Sequence, residues 1–287
     1  MKKWLSLFLA MAMLLSLLSG CGGKEREEEE DDLVTVYLLT EEVTYQNGEE
    51  VGLRECSYNN DGNMEEESYH YDGTESWRNE MTYNNKGHWI RLDRYYDNEL
   101  SRYEEYECDS KGNWEVAMCY DANDEETLRI EYSYDKKGNL TKAIGYYPYD
   151  DGEESFRNEY TYDKNGNMTS RTVNSYGDES GYLKWIYDSK SNLEAEVYYF
   201  NDEEIWRTEY SYDKQGRLTE RTHYEGGEET WRAEYSYDSK GCEAEVTYAD
   251  GRTGTMTFEK LRVSEERAQE FLNRWGSSYV FICRSGE

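Results

Sequence analysis

Residues 206–224 read WRTEYSYDKQGRLTERTHY, and this stretch decides the fold. Taken at the strand period of two, Trp206, Thr208, Tyr210 and Tyr212 share one face, while Arg207, Glu209 and Ser211 share the other. That alternation belongs to a half-buried antiparallel strand. Asp213-Lys214-Gln215-Gly216 is a turn, in which Gly supplies positive φ and Asp bonds back to its own backbone. Leu218 to Tyr224 is the return strand. Leu218 and Tyr224 lie at even offsets from Gly216, which predicts that both point to the aromatic face. Glu225-Gly226-Gly227-Glu228 then leads into the next unit, so the unit is a β-hairpin.

The unit recurs. Tyr-x-Tyr-Asp-x-x-Gly-Asn stands at Tyr132–Asn139 and Tyr160–Asn167, with close copies at Tyr210–Arg217 and Tyr235–Cys242. Weaker copies are Cys56–Asn63, Met81–His88, Tyr106–Asn113 and Trp185–Asn192. The register position falls at 62, 87, 112, 138, 166, 191, 216 and 241, and is Gly everywhere except Ser191. An apolar residue, Arg, any residue and Glu precede most copies, as in Trp77-Arg78-Asn79-Glu80 and Trp231-Arg232-Ala233-Glu234. Eight residues past the register stand Tyr95, Tyr120, Tyr146, Tyr199 and Tyr224. A fixed period of about 25 residues marks a repeat architecture.

The expected fold is therefore all-β: about eight hairpin repeats over residues 33–258, forming a curved or coiled antiparallel sheet. Open sheets beyond about 10 strands tend to curl or close. One face is aromatic and turned inward. On the other, Arg and Glu rows are placed to pair across strands. Leu33–Tyr45 begins the sheet. Residues 259–287 form a C-terminal cap, with Ser264 as N-cap of a helix from Glu265 to about Trp275.

The stretch Tyr212–Gly241, YDKQGRLTERTHYEGGEETWRAEYSYDSKG, resembles the YD-repeat (RHS-repeat) family. The resemblance spans roughly residues 50–250 and is degenerate in the first three copies. It implies hairpin strips that spiral into shells enclosing a toxin or presenting adhesive surfaces. The chain departs from that family in lacking its core segment and a toxin domain. Eight repeats are also few for a multi-turn shell, so a curved sheet or small barrel is the expected form.

The N-terminus carries a different signal. Lys2 and Lys3 precede an apolar run from Trp4 to Leu18, and Leu18-Ser19-Gly20-Cys21 follows. This has the layout of a secretory signal. Its ending resembles a bacterial lipoprotein lipobox, which implies cleavage after residue 20 and a lipid on Cys21. Residues 1–20 are then a signal peptide. Residues 21–32 are the lipidated Cys and an acidic tether, whose like charges repel and extend it. The expected location is the extracytoplasmic face of a bacterial cell membrane.

Composition narrows the function. The chain has 287 residues and a net charge of −31, a poor match for nucleic acid, which needs a basic surface. Its 30 Tyr, 8 Trp and 6 Phe separate it from disordered acidic chains, which have few aromatics. No metal or cofactor is expected: His70, His88 and His223 fall in different repeats without zinc-type spacing. Asn59–Asn63 and Asp121–Glu125 read as turns rather than calcium loops. Cys56, Cys108, Cys119, Cys242 and Cys283 form no regular ladder, and no acid pair stands apart from its repeat equivalents. No enzyme is expected.

The remaining candidates are aromatic: Trp77, Trp206, Trp231, Tyr95, Tyr120, Tyr146, Tyr199 and Tyr224, which either stack on a ligand or fill the core. The leading expectation is a non-catalytic surface protein that binds a cell-wall carbohydrate or other cell-surface polymer, or a protein. Two alternatives stay open. One is an immunity-like or inhibitory protein whose acidic face meets a basic toxin or enzyme. The other is a structural spacer.

Overall fold

A computed structural model describes residues 33–175, 178–264, 267–268 and 280–283. The first strands are β1 (Leu33–Gln46), β2 (Glu49–Tyr58), β3 (Met64–Tyr71), β4 (Thr74–Tyr83), β5 (Trp89–Tyr96) and β6 (Glu99–Cys108). Next come β7 (Trp114–Asp121), β8 (Glu126–Tyr134), β9 (Leu140–Tyr146), β10 (Phe156–Tyr162), β11 (Met168–Ser175) and β12 (Asp178–Tyr187). β13 (Leu193–Phe200), β14 (Glu203–Tyr212), β15 (Leu218–Glu225), β16 (Glu228–Tyr237), β17 (Glu243–Tyr248), β18 (Thr253–Ser264) and β19 (Val280–Cys283) complete the sheet.

The eight hairpins supply β2 to β17, each paired antiparallel to the next. The curved or coiled open sheet expected from the repeat is corrected by the two strands that flank it. β1 lies along β18 from Leu33↔Ser264 to Tyr45↔Thr253, and its other edge pairs with β2 over Glu41–Gln46. The sheet thus closes into an 18-stranded antiparallel barrel, neither a coil nor a solenoid of hairpins. Closure pairs the two strands that would otherwise be the sheet's edges, which blunts the usual route to edge-to-edge aggregation. β19 pairs with the start of β1, Thr35↔Cys283 to Leu38↔Val280.

The expected capping helix is not part of the described fold. Residues 259–264 continue β18 instead of starting a cap. Of the stretch 265–275 only Arg267 and Ala268 are described, and the rest lies outside the described residues. Ser264 Oγ accepts from the backbone N–H of Arg267 at 3.3 Å, and Ala268 is buried against Val36 and Leu38.

Two kinds of turn divide the barrel's ends. At one end the leading Asp or Asn of each turn accepts backbone N–H groups two and four residues on. Asp213 Oδ1 takes those of Gln215 and Arg217, both at 2.9 Å. At the other end lie two-residue turns with positive φ at both positions, among them Asn47/Gly48, Asp72/Gly73, Asp97/Asn98 and Gly226/Gly227. Their twist matches that of the flanking strands.

A bulge corrects the expected faces. Leu218 opposes Tyr212, but the next pair is Glu220 with Ser211, so Thr219 is an extra residue. The same skip follows Met64, Trp89, Trp114, Leu140, Met168 and Leu193. One extra residue inverts the alternation beyond it. Leu218 therefore faces inward with Tyr212, whereas Tyr224 faces outward opposite Arg207. The inner face carries Trp206, Thr208, Tyr210 and Tyr212, then Leu218, Arg221 and His223. Burial is deepest where β1, β16, β17 and β18 meet, around Leu39, Ala233, Val246 and Phe258.

Candidate ligand-binding site

Of the aromatic candidates, the structure puts the three Trp inside and the five Tyr outside. Trp77 stacks on Tyr69 with centroids 6.0 Å apart, and Trp206 on Tyr198 at 5.9 Å. Trp231 lies 6.0 Å from Tyr248, with the Arg221 guanidinium 5.1 Å over its indole. All three line the barrel at the end of the two-residue turns.

On the outer wall, Tyr95 sits under Arg78 at 4.4 Å and Tyr146 under Arg129 at 5.8 Å. Tyr199 lies 5.1 Å from the Lys184 ammonium, and Tyr120 stacks on Tyr103 at 4.9 Å. Tyr224 faces Arg207 across the ladder. Four of these five lie against cations and Tyr120 against Tyr103, on the face of the wall opposite that of the three Trp.

The outer Arg and Glu pair differently from expectation. Arg78 holds Glu75 and Glu80 of its own strand, each at 2.8 Å, and Arg207 holds Glu204 at 2.8 Å. A second bulge, which skips Ile205, brings Glu204 onto the face of Arg207. The position across the strand is taken by Tyr, so the clamp closes along the strand. Arg91–Glu105 at 2.7 Å is a cross-strand exception.

Inside, several charges pair. Arg54 lies between Glu42 at 3.2 Å and Glu67 at 3.8 Å, and Arg94 reaches Glu104 at 3.1 Å. Arg54 and Arg94 each keep 28% of their side-chain surface open, so water reaches the interior. Burial raises the carboxyl of Glu196 above its ordinary value even with Arg221 and Arg171 near. Burial also pushes the phenols of Tyr134, Tyr162, Tyr187 and Tyr235 up to about 12.

A cavity of about 860 Å³ opens at the opposite end, that of the Asp/Asn-led turns. Its aromatic lining is Trp89, Trp114 and Tyr134, its turn residues include Lys86, His88 and Lys111, and Leu261 to Val263 and Arg267 close one side. Trp114 donates its indole N–H to the carbonyl of Trp89 at 3.0 Å, and Trp89 donates to that of Arg91 at 2.9 Å. Both donors are thus spent on the chain, and both rings, packed against Tyr106 and each other, also line the cavity. Arg267 donates to Asn63 Oδ1 at 2.6 Å, which ties the tail to the first turn. Sequence reasoning placed Trp89 and Trp114 in the apolar row but did not name them as ligand residues. Their signal was tryptophan in two successive repeats where others carry Met or Leu.

Asn59 Oδ1 accepts the backbone N–H groups of Asp61 and Asn63, both at 3.0 Å, so Asn59–Asn63 is a turn of the repeat type. Asp121 does the same for Asn123 and Glu125. Cys56 is buried, and burial pushes its thiol up to about 12. Cys108 Sγ lies 3.6 Å from the carbonyl of Trp89. Cys21, with the rest of 1–32, lies outside the described residues.

No family model and no curated protein matches the chain. Membership of the YD-repeat family, expected from the motif, is therefore not supported. Similar solved structures include two of TcdB2-TccC3. The one with Cdc42 has 13% identity, covers 77% of this chain and 15% of that one, and has a TM-score of 0.32. TcdB2-TccC3-TEV has 12% identity, covers 72% and 16%, and has a TM-score of 0.31. The chain thus spans less than a fifth of those chains. A porin-like protein from Bacteroides uniformis has 11% identity, covers 80% of this chain and 97% of its own, and has a TM-score of 0.43.

Proposed function

We propose that this is an exported, lipid-anchored, non-catalytic protein of the bacterial envelope that binds a saccharide segment of a cell-surface polymer at the barrel's aromatic mouths. The observation that carries the reading is the cavity beside Trp89 and Trp114, whose indole N–H groups are already satisfied. The negative face of such a ring attracts the polarised C–H groups of a sugar. Export and anchorage rest on the Leu18–Cys21 motif. The outer wall, with Glu75, Glu80, Glu204 and Glu209 around its arginines, differs from the apolar belt of a membrane-spanning barrel.

The test is a pull-down of the full chain on purified cell-wall polysaccharide, followed by tryptophan fluorescence. Saturable binding that survives high salt, weakens several-fold in Trp89→Ala or Trp206→Ala and is unchanged in Tyr224→Ala supports the reading. No binding to any polysaccharide overturns it. The acidic outer wall favours a second reading, capture of a basic protein, and such binding would fall steeply with salt.

A further inference from the structure

The turns at the cavity break the repeat's own charge rule. In six of the eight, the residue that leads the turn is an acid: Asp109, Asp135, Asp163, Asp188, Asp213 and Asp238. In the first two it is Asn59 and Asn84. The hydrogen bonding is the same, since Asn84 Oδ1 accepts the N–H groups of Lys86 at 2.9 Å and His88 at 3.0 Å. The exchange of Asp for Asn thus changes charge and leaves the turn intact.

The rim sector that loses two acids is the one that gathers cations. Among the described residues, Lys86, Lys111, Arg262 and Arg267 line the cavity against one acid, Asp61, in a chain of net charge −31. His88 replaces the Asn of five of the other seven copies and packs against the neighbouring turn: a Cβ on Gly112 would come within 2.6 Å of its imidazole. Gly112 is therefore required there both by its φ of 90° and by this close approach. The imidazole, two lysines and two indoles converge on one polar, solvent-open space.

We propose that this mouth is an anion subsite, which takes a saccharide bearing a carboxylate or a phosphate. The sugar ring lies on Trp89 and Trp114, and its anionic group meets Lys86, Lys111 and His88. The inference rests on the saccharide-binding reading and adds ligand charge to it. A long polyanion is disfavoured by the field of the whole chain, so the ligand is a short segment or a chain end.

Fluorescence titration of the full chain with three probes tests this: an oligogalacturonate, a glycerol-phosphate oligomer and an uncharged cello-oligosaccharide. At least one anionic probe is expected to bind about tenfold more tightly than the uncharged one, and which one identifies the carboxylate or the phosphate as the ligand group. Asn59→Asp with Asn84→Asp restores the residue of the other repeats and keeps the turn. It should abolish the anionic preference and leave uncharged binding unchanged; Lys86→Ala with Lys111→Ala should likewise abolish the preference. Equal affinity for all three probes, or a preference that survives Asn59→Asp/Asn84→Asp, overturns the inference and leaves saccharide binding standing. No binding of any probe overturns both.

Discussion

Trp114 donates its indole N–H to the backbone carbonyl of Trp89, one repeat earlier, and the two rings meet nearly edge to face at 5.3 Å. Tyr106 stacks on Trp114 at 4.5 Å, and Tyr132 follows at 5.9 Å. Successive repeats are thus coupled through side chains as well as through the ladder. In a chain with little Leu and Val, such aromatic runs take the place of an aliphatic core.

The first prediction follows from that hook. Trp114→Phe keeps most ring contact but leaves the Trp89 carbonyl without this donor, and should cost about 1 kcal/mol. Trp114→Ala should cost about 3 kcal/mol. Urea unfolding midpoints check both, and equal costs would mean that the ring contacts contribute nothing.

A second prediction separates backbone strain from crowding. Gly138 and Gly112 both have φ of 90°, but only Gly112 faces a neighbour, the imidazole of His88. Gly138→Ala should cost about 1 kcal/mol for the left-handed backbone alone. Gly112→Ala should cost more and should also alter the fluorescence of Trp89, because His88 has to move. Identical behaviour of the two variants would contradict the packing described for this mouth.

Much of this was legible in the sequence. The hairpin, its turn chemistry and the inward aromatic strand follow from period two and a fixed register. The bulge was not, because counting even offsets assumes an unbroken alternation. A trace of it is present: Trp89 and Leu92, Trp114 and Ala117, and Leu140 and Ala143 are apolar pairs three residues apart, an odd spacing on one strand. Closure was not legible either. It depends on β1 meeting β18 across more than 200 residues, and neither strand carries the repeat motif. The mouth lay in the departures from the repeat, at Asn59, Asn84 and His88, rather than in the repeat itself.

At acid pH the turns should weaken. The Asn139 backbone and side chain hold Asp135 below the usual carboxylate range, and the Asn113 side chain does so for Asp109. A depressed folded pKa contributes stability that is present above the unfolded value, about 3.9, and lost as pH falls through the folded one. The stability gap between the wild type and Asp135→Asn should therefore shrink as pH drops below about 4. A gap that stays constant from pH 6 to pH 2 would contradict the turn's role.

At alkaline pH the inner tyrosines act in the opposite sense. Tyr134, Tyr162, Tyr187 and Tyr235 are raised by burial to about 12, against about 10 in the unfolded chain. Their contribution is complete below pH 10 and is lost as pH rises from 10 to 12. Tyrosinate absorbance after a rapid pH jump should show a prompt fraction, then a slow fraction that appears together with unfolding. A single prompt phase would place these rings in solvent.

Closure of the barrel is the claim on which the inward aromatic face and both mouths depend. Glu41 and Thr257 are exposed, opposite each other across the β1–β18 seam, and adjacent only if the sheet closes. A chain carrying Glu41→Cys and Thr257→Cys should form that disulfide intramolecularly under mild oxidation, as mapped by proteolysis and mass spectrometry. The closed barrel predicts near-complete cross-linking in the monomer. Thiols that stay reduced, or that join only between molecules, would mean that the sheet is open.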